Sequence, residues 1–169
     1  MKKSSFLTAL FSLLISSIYT PLYSQDEKIK QEIIAKFKIS DGTKNGEDIT
    51  PYLLGQNAYL VIYKDQATKT ICMANFWGKN DSQSYGSIYS MEEKHIKADS
   101  ENYEADQFFF QWSYTNTYDN KKGTAKVQLL KVYKPQGIYF KMTIIPENLD
   151  VLVYKGYMEG TLDLTVYNK

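Results

Sequence analysis

The side chains that most often do chemistry are scarce in this chain. His95 is the only histidine and Cys72 the only cysteine. A zinc site needs several imidazole or thiolate ligands converging on one point, so a histidine-based metal centre is excluded and no metal or other cofactor is expected. His95 follows Glu92, Glu93 and Lys94. A general base needs an orienting partner and a substrate pocket, and this charged run suggests neither, so His95 reads as a solvated imidazole. Cys72 lies in the apolar run from Ile71 to Phe76 and reads as a small buried hydrophobe rather than a reactive thiol. No serine stands in a G-x-S-x-G elbow. The segments DGTKNGED and KNDSQSYG carry carboxylates and amides, but neither matches the twelve-residue calcium loop. Glu147 with Asp150, and Asp99, Glu101, Glu104 and Asp106, offer carboxylate pairs of the kind glycoside hydrolysis uses. Acids in turns are ordinarily solvated, and the expectation is a protein that is not an enzyme.

The surplus is aromatic: 15 Tyr, 8 Phe and 2 Trp. Phe108, Phe110, Trp112 and Tyr114 recur at every second position, so they share one strand face. Phe140 and Met142 follow the same rule on a later strand. Such residues fill a core or line a cavity. Trp77 and Tyr85 flank the polar segment GKNDSQSYG at 78–86, which reads as a presented loop with Asn80, Asp81, Gln83 and Ser84 beside the two rings. Stacking faces next to hydrogen-bonding groups suit a sugar, a peptide or a protein surface. The candidate ligand-binding residues are therefore Trp77, Tyr85, Trp112, Tyr114, Phe140 and Met142.

The elements that must position them are almost all strands. Alternation marks strands at Ile33 to Ser40, Thr124 to Tyr133, Ile138 to Ile145 and Thr161 to Tyr167. Ala58 to Lys64 and Thr70 to Trp77 form a hairpin across Asp65 to Lys69, and Val151 to Met158 is a further run with Gly156 inside it. DGTKNGED is a turn, followed by one helical turn at Ile49 to Leu54 opened by Thr50 and Pro51. Ser87 to Met91 makes a short strand, and Glu92 to Asp106 is expected to run over the surface. Adjacent Leu129 and Leu130 break the alternation, which predicts a bulge there. The total is about eight mainly antiparallel strands joined by tight turns. This resembles an up-and-down barrel of the lipocalin-like, calycin type, with a β-sandwich as second choice. The glycine-x-tryptophan motif of true lipocalins is missing near the start of the mature chain, and the resemblance ends at the strand pattern.

The amino terminus reads as an export signal. Met1, Lys2 and Lys3 precede the apolar run FLTALFSLLISSI, from Phe6 to Ile18. The run is too short for a spanning helix, which takes roughly 20 apolar residues. Removal of residues 1–24 from the chain of 169 leaves 145, one domain of ordinary size, and takes away two of the 20 lysines against 19 acids. The sequence contains no arginine, so bidentate phosphate or guanine contacts are unavailable and no nucleic-acid partner is expected. A lone cysteine forms no internal disulfide, and no thiol near the cut offers a lipid anchor. Lysines inside strands and runs of seven or eight residues argue against a membrane-spanning barrel, whose strands need roughly 9–11 residues. The composition, rich in Lys, Asn, Ile and Tyr, suggests a bacterial source. The expectation is a periplasmic or secreted monomer. Its leading function is a non-catalytic one, holding a small apolar or amphipathic ligand inside the barrel. The alternative is a cell-envelope interaction module, such as an inhibitor, immunity-type partner or assembly factor, acting through the 78–86 loop and an outer strand.

Overall fold

A computed structural model describes residues 31–78 and 82–163. The expected signal peptide and most of the expected last strand lie outside the described residues. The described residues form nine strands and one helix, in order: β1 (Gln31–Lys44), β2 (Glu47–Asp48), α1 (Thr50–Gly55), β3 (Tyr59–Asp65), β4 (Ile71–Trp77), β5 (Ser82–Ile96), β6 (Ala105–Asn116), β7 (Lys122–Lys134), β8 (Gly137–Pro146) and β9 (Leu152–Gly160). Every pairing is antiparallel between sequence neighbours around the sheet, and β1 also pairs with β9, from Ala35 opposite Gly160 to Lys44 opposite Leu152. The sheet therefore closes. The molecule is an eight-stranded up-and-down barrel, lipocalin-like in architecture, with β2 as a two-residue extra strand on the end of β1.

Alternation selects the inner face. Phe37, Leu60, Ile62, Met73, Phe108, Leu129, Phe140, Met142, Ile144 and Tyr154 are almost entirely buried, and Phe37 meets Phe140 edge to face at 5.0 Å between ring centres. Outside, Gln111, Lys126, Gln128 and Lys141 are exposed. Apolar inside and polar outside is the inverse of a membrane-spanning barrel. Among the described residues no helix is long and apolar enough to cross a membrane.

Several local expectations are corrected. The segment 78–86 is not one long loop: Ser82 onward belongs to β5, paired with β4 and β6. Polar residues are tolerated there because the strand's backbone is hydrogen-bonded on both sides. The segment after Met91 is strand as far as Ile96, not a surface run, held by its ladder with β6 from Glu92 opposite Phe109 to Ile96 opposite Ala105. The expected bulge at Leu129 and Leu130 is absent, and β7 keeps unbroken register with both neighbours. Lys131 takes the inward position that the leucine repeat had seemed to lose, while Leu130 and Val132 turn outward. Bulges fall instead in β1, near Ile34 and Ser40, and in β5 between Tyr89 and Glu92. Thr161 to Asp163 is not strand, although it had been assigned to one.

Turn chemistry follows the sequence closely. Asn45 and Gly46 both adopt positive φ, 52° and 86°, as a tight hairpin between β1 and β2 requires. The Asp65 carboxylate accepts hydrogen bonds from the backbone of Ala67 and Thr68, each at 2.9 Å, and closes the β3–β4 turn. Pro51 opens α1, and the Asp48 carboxylate accepts from the Thr50 N–H at 2.8 Å. The helix seats Leu53 against Gly42, where a Cβ would lie only 2.4 Å from the leucine methyl. Glycine at that point lets α1 pack over one end of the barrel.

Candidate functional site

The two ends of the barrel differ in chemistry. At the end covered by α1, the strands finish in aromatic residues. Trp77 is the last residue of β4, and Tyr52 of α1 leans on it, ring centres 5.3 Å apart and planes at 56°. Trp112 and Tyr114 stand two apart on β6 and so share the inner face, with ring centres 4.7 Å apart. The Trp112 indole N–H donates to the Met73 carbonyl at 3.1 Å, which fixes the ring across β4 and β5. Tyr114 lies over Gly123 on β7; a Cβ there would be 2.7 Å from the tyrosine oxygen, so a side chain at this point would displace the ring.

These side chains border a cavity of about 300 Å³. Its far wall is apolar, made by Ile144 and Pro146 of β8 and Leu152 of β9, and its polar groups are Asn75, Ser84, Asn116 and the two tyrosines. Among the described residues no charged side chain lines it. Asn75 is the deepest polar group, one inward position below Trp77. It is 94% buried, and its side-chain oxygen accepts no hydrogen bond. Behind it lies the Tyr154 hydroxyl, fully buried and likewise without a partner. Burial pushes the Tyr154 pKa up to about 12, with the nearby Asn75 amide pulling slightly the other way. Burial, and then the charges of Glu147 and Asp119, raise the pKa of Tyr114.

Of the six candidate residues, the structure brings Trp77, Trp112 and Tyr114 together at this mouth. Phe140 and Met142 lie deeper and are fully enclosed, so they are core packing. Tyr85 points outward from β5, 43% exposed, opposite Ala74 and Thr115. It borders an outer aromatic patch in which Tyr59 and Phe76 stack at 4.7 Å above Val61, Tyr63, Cys72 and Ala74. Cys72 is buried there, and burial followed by the charge of Asp65 raises its thiol pKa. Sequence reasoning missed Tyr52 and Asn75. Asn75 left a signal, since it is the one polar residue in the strand Ile71–Trp77.

The opposite end is charged. The β5 bulge adds one residue between Tyr89 and Glu92, so the inward parity switches from Ile88 to Glu93 and His95. His95 does have an orienting partner, contrary to the sequence reading: its Nδ1 lies 2.8 Å from Asp106 Oδ1, and its Nε2 lies 3.4 Å from Glu104. Tyr133 donates to Asp106 Oδ2 at 2.5 Å. Lys131, 94% buried, stands 3.9 Å from the same oxygen and donates to the Thr161 carbonyl at 2.8 Å. Beside it Leu162 is buried against the core. Burial opposes ionisation of Asp106, yet hydrogen bonds from His95 and Tyr133 and the Lys131 charge together hold its carboxyl below the ordinary range. Tyr133 is pushed far up by burial and by Asp106, and Glu93 up by burial and then by Asp106 and Asp163. Both ring nitrogens of His95 face carboxylates, so neither is presented to a substrate. The arrangement closes the barrel end.

Comparisons of the chain with protein-family models, curated proteins and solved structures find no match. What the fold and its geometry define is a closed eight-stranded antiparallel barrel with an aromatic mouth cavity at one end and a cluster of paired charged side chains, His95, Glu104, Asp106 and Lys131, at the other.

Proposed function

We propose that this protein is an exported, non-catalytic binding protein, bacterial in origin and periplasmic or secreted, whose ligand is small, neutral and amphipathic. The ligand seat is the barrel mouth rather than the deep interior, because Phe37, Phe108, Phe140 and Met142 already fill the latter. The observation that carries this reading is the cavity itself. Two aromatic pairs, Tyr52 with Trp77 and Trp112 with Tyr114, border a space of about 300 Å³ that no charged side chain of the described residues lines. That is the lower end of the roughly 300–1,000 Å³ range of small-molecule sites, which are typically apolar with a few placed polar groups. Export rests on the basic tip and short apolar run at residues 1–18.

Native mass spectrometry of the protein purified from its own host tests the reading. A carried-over mass that is lost in Trp77→Ala and Trp112→Phe supports it; a clean apo mass, with no quenching of tryptophan fluorescence by extracts of the host, counts against it. An intact mass starting near Gln25 is the expected product of export.

A second reading, an envelope interaction module, is favoured by the outer patch around stacked Tyr59 and Phe76 with exposed Tyr85 alongside. Here Tyr85→Ala lowers capture of a partner without lowering the melting temperature; unchanged capture removes this reading.

A further inference from the structure

We infer that the mouth ligand carries a hydroxyl group and inserts it first, donating its hydrogen to Asn75 Oδ1. This rests on the mouth-binding reading above and names the chemistry of what sits there. A buried carbonyl oxygen without a partner costs free energy comparable to a lost hydrogen bond, and native proteins rarely leave one so. Asn75 lines the cavity, is 94% buried, and has its side-chain oxygen unpartnered. The other inward residues of β4, Ile71, Met73 and Trp77, are apolar and lie in or against the core.

The neighbouring groups restrict what can satisfy the oxygen. Trp112 already spends its single N–H on the Met73 carbonyl, so the indole offers no donor. A hydroxyl carries a donor hydrogen. Seated on Asn75, it gives that hydrogen to the amide oxygen. A carboxylate has no hydrogen to give, and among the described residues no carboxylate lines the cavity to pair with an ammonium. The body of the ligand is flat and apolar, because the walls above Asn75 are the faces of Trp77, Trp112 and Tyr114. The class is therefore a neutral ring-bearing alcohol or phenol of a size to fit about 300 Å³.

A matched probe pair tests this: 2-naphthol and its methyl ether, titrated calorimetrically into residues 25–169 of the wild type and of Asn75→Leu. Donor pairing to a buried acceptor predicts that the wild type binds 2-naphthol about tenfold tighter than the ether. In Asn75→Leu the ratio falls toward one while the ether binds at least as well, since leucine fills the same space without an orphaned oxygen. Equal affinities in the wild type overturn the hydroxyl inference and leave the mouth site standing. No binding of either probe overturns both. Should Asn75→Leu fail to fold, the wild-type ratio decides, supported by movement of the Asn75 side-chain amide resonances with 2-naphthol but not with the ether.

Discussion

Replacing Asp106 by alanine exposes how the charged end of the barrel is held. The Asp106 carboxylate receives Tyr133 at 2.5 Å, lies 2.8 Å from His95 Nδ1, and stands 3.9 Å from the Lys131 ammonium. At that 3.9 Å separation and an effective dielectric constant of about 20, the attraction to Lys131 is about 4 kcal/mol before desolvation is counted. The Lys131 and Asp106 side chains are only 7% and 13% exposed, so solvent does little to replace the lost partner. Leaving one charge of a buried pair uncompensated costs roughly 3–5 kcal/mol, a large part of the roughly 5–15 kcal/mol that holds a domain together. Urea unfolding followed by tryptophan fluorescence is the assay, and with a slope of about 2 kcal/mol/M a loss of that size lowers the midpoint by roughly 1.5–2.5 M. Lys131→Met in the same background removes the stranded charge and is expected to recover most of the loss. The double variant refutes the reasoning if it is as unstable as Asp106→Ala alone, as does a single variant that loses under about 1 kcal/mol. The acid limb gives an independent check. The native Asp106 pKa is lowered, so its contribution is complete above the ordinary carboxylate range and disappears as pH falls through the lowered native value. Stability of the wild type should therefore fall more steeply on acidification than that of Asp106→Ala.

Three other outcomes are expected. Phe140→Ala, in a fully enclosed position, should cost roughly 3–5 kcal/mol in urea unfolding and leave affinity at the mouth unchanged within twofold. Gly86→Ala should fail to fold or lose the β signal in circular dichroism, because its Cβ would lie 1.8 Å from the Ser113 carbonyl oxygen of β6. Cys72, buried and with its thiol pKa raised, should react with a disulfide reagent at pH 8 at least tenfold more slowly in the native protein than in 8 M urea; equal rates would show that the outer patch opens freely.

How far the sequence carried is visible strand by strand. Period-two patterns at Phe108 to Tyr114 and Ile138 to Ile144 needed only local information, and both became half-buried strands with the expected faces. The barrel followed from strand number and short turns. The strand β5 was not legible, because Ser82 to Gly86 and Glu92 to Ile96 contain little that favours a strand; β4 and β6 hold the first segment in one, and β6 alone holds the second. Without β5, the outward aim of Tyr85 could not be read. His95 looked partnerless because its carboxylate comes from the start of β6, eleven residues on, through a register that a bulge had already shifted. Lys131 broke the leucine alternation on paper; in space its charge is met by Asp106 and the Thr161 carbonyl, so no bulge was needed.

The seam between β1 and β9 pairs Ala35 with Gly160 and Phe37 with Met158, so the first and last described strands are neighbours like any other two. Topologically the barrel is a ring with a single nick, and nothing in the hydrogen-bond ladder marks that place as special. A short linker from Asp163 back to Gln31, which keeps Thr161 and Leu162 in place, with new ends opened in the exposed Asp65 to Thr70 turn, should give a circular permutant with the same barrel. The order of the strands around the ring, rather than which of them comes first, is what this chain encodes.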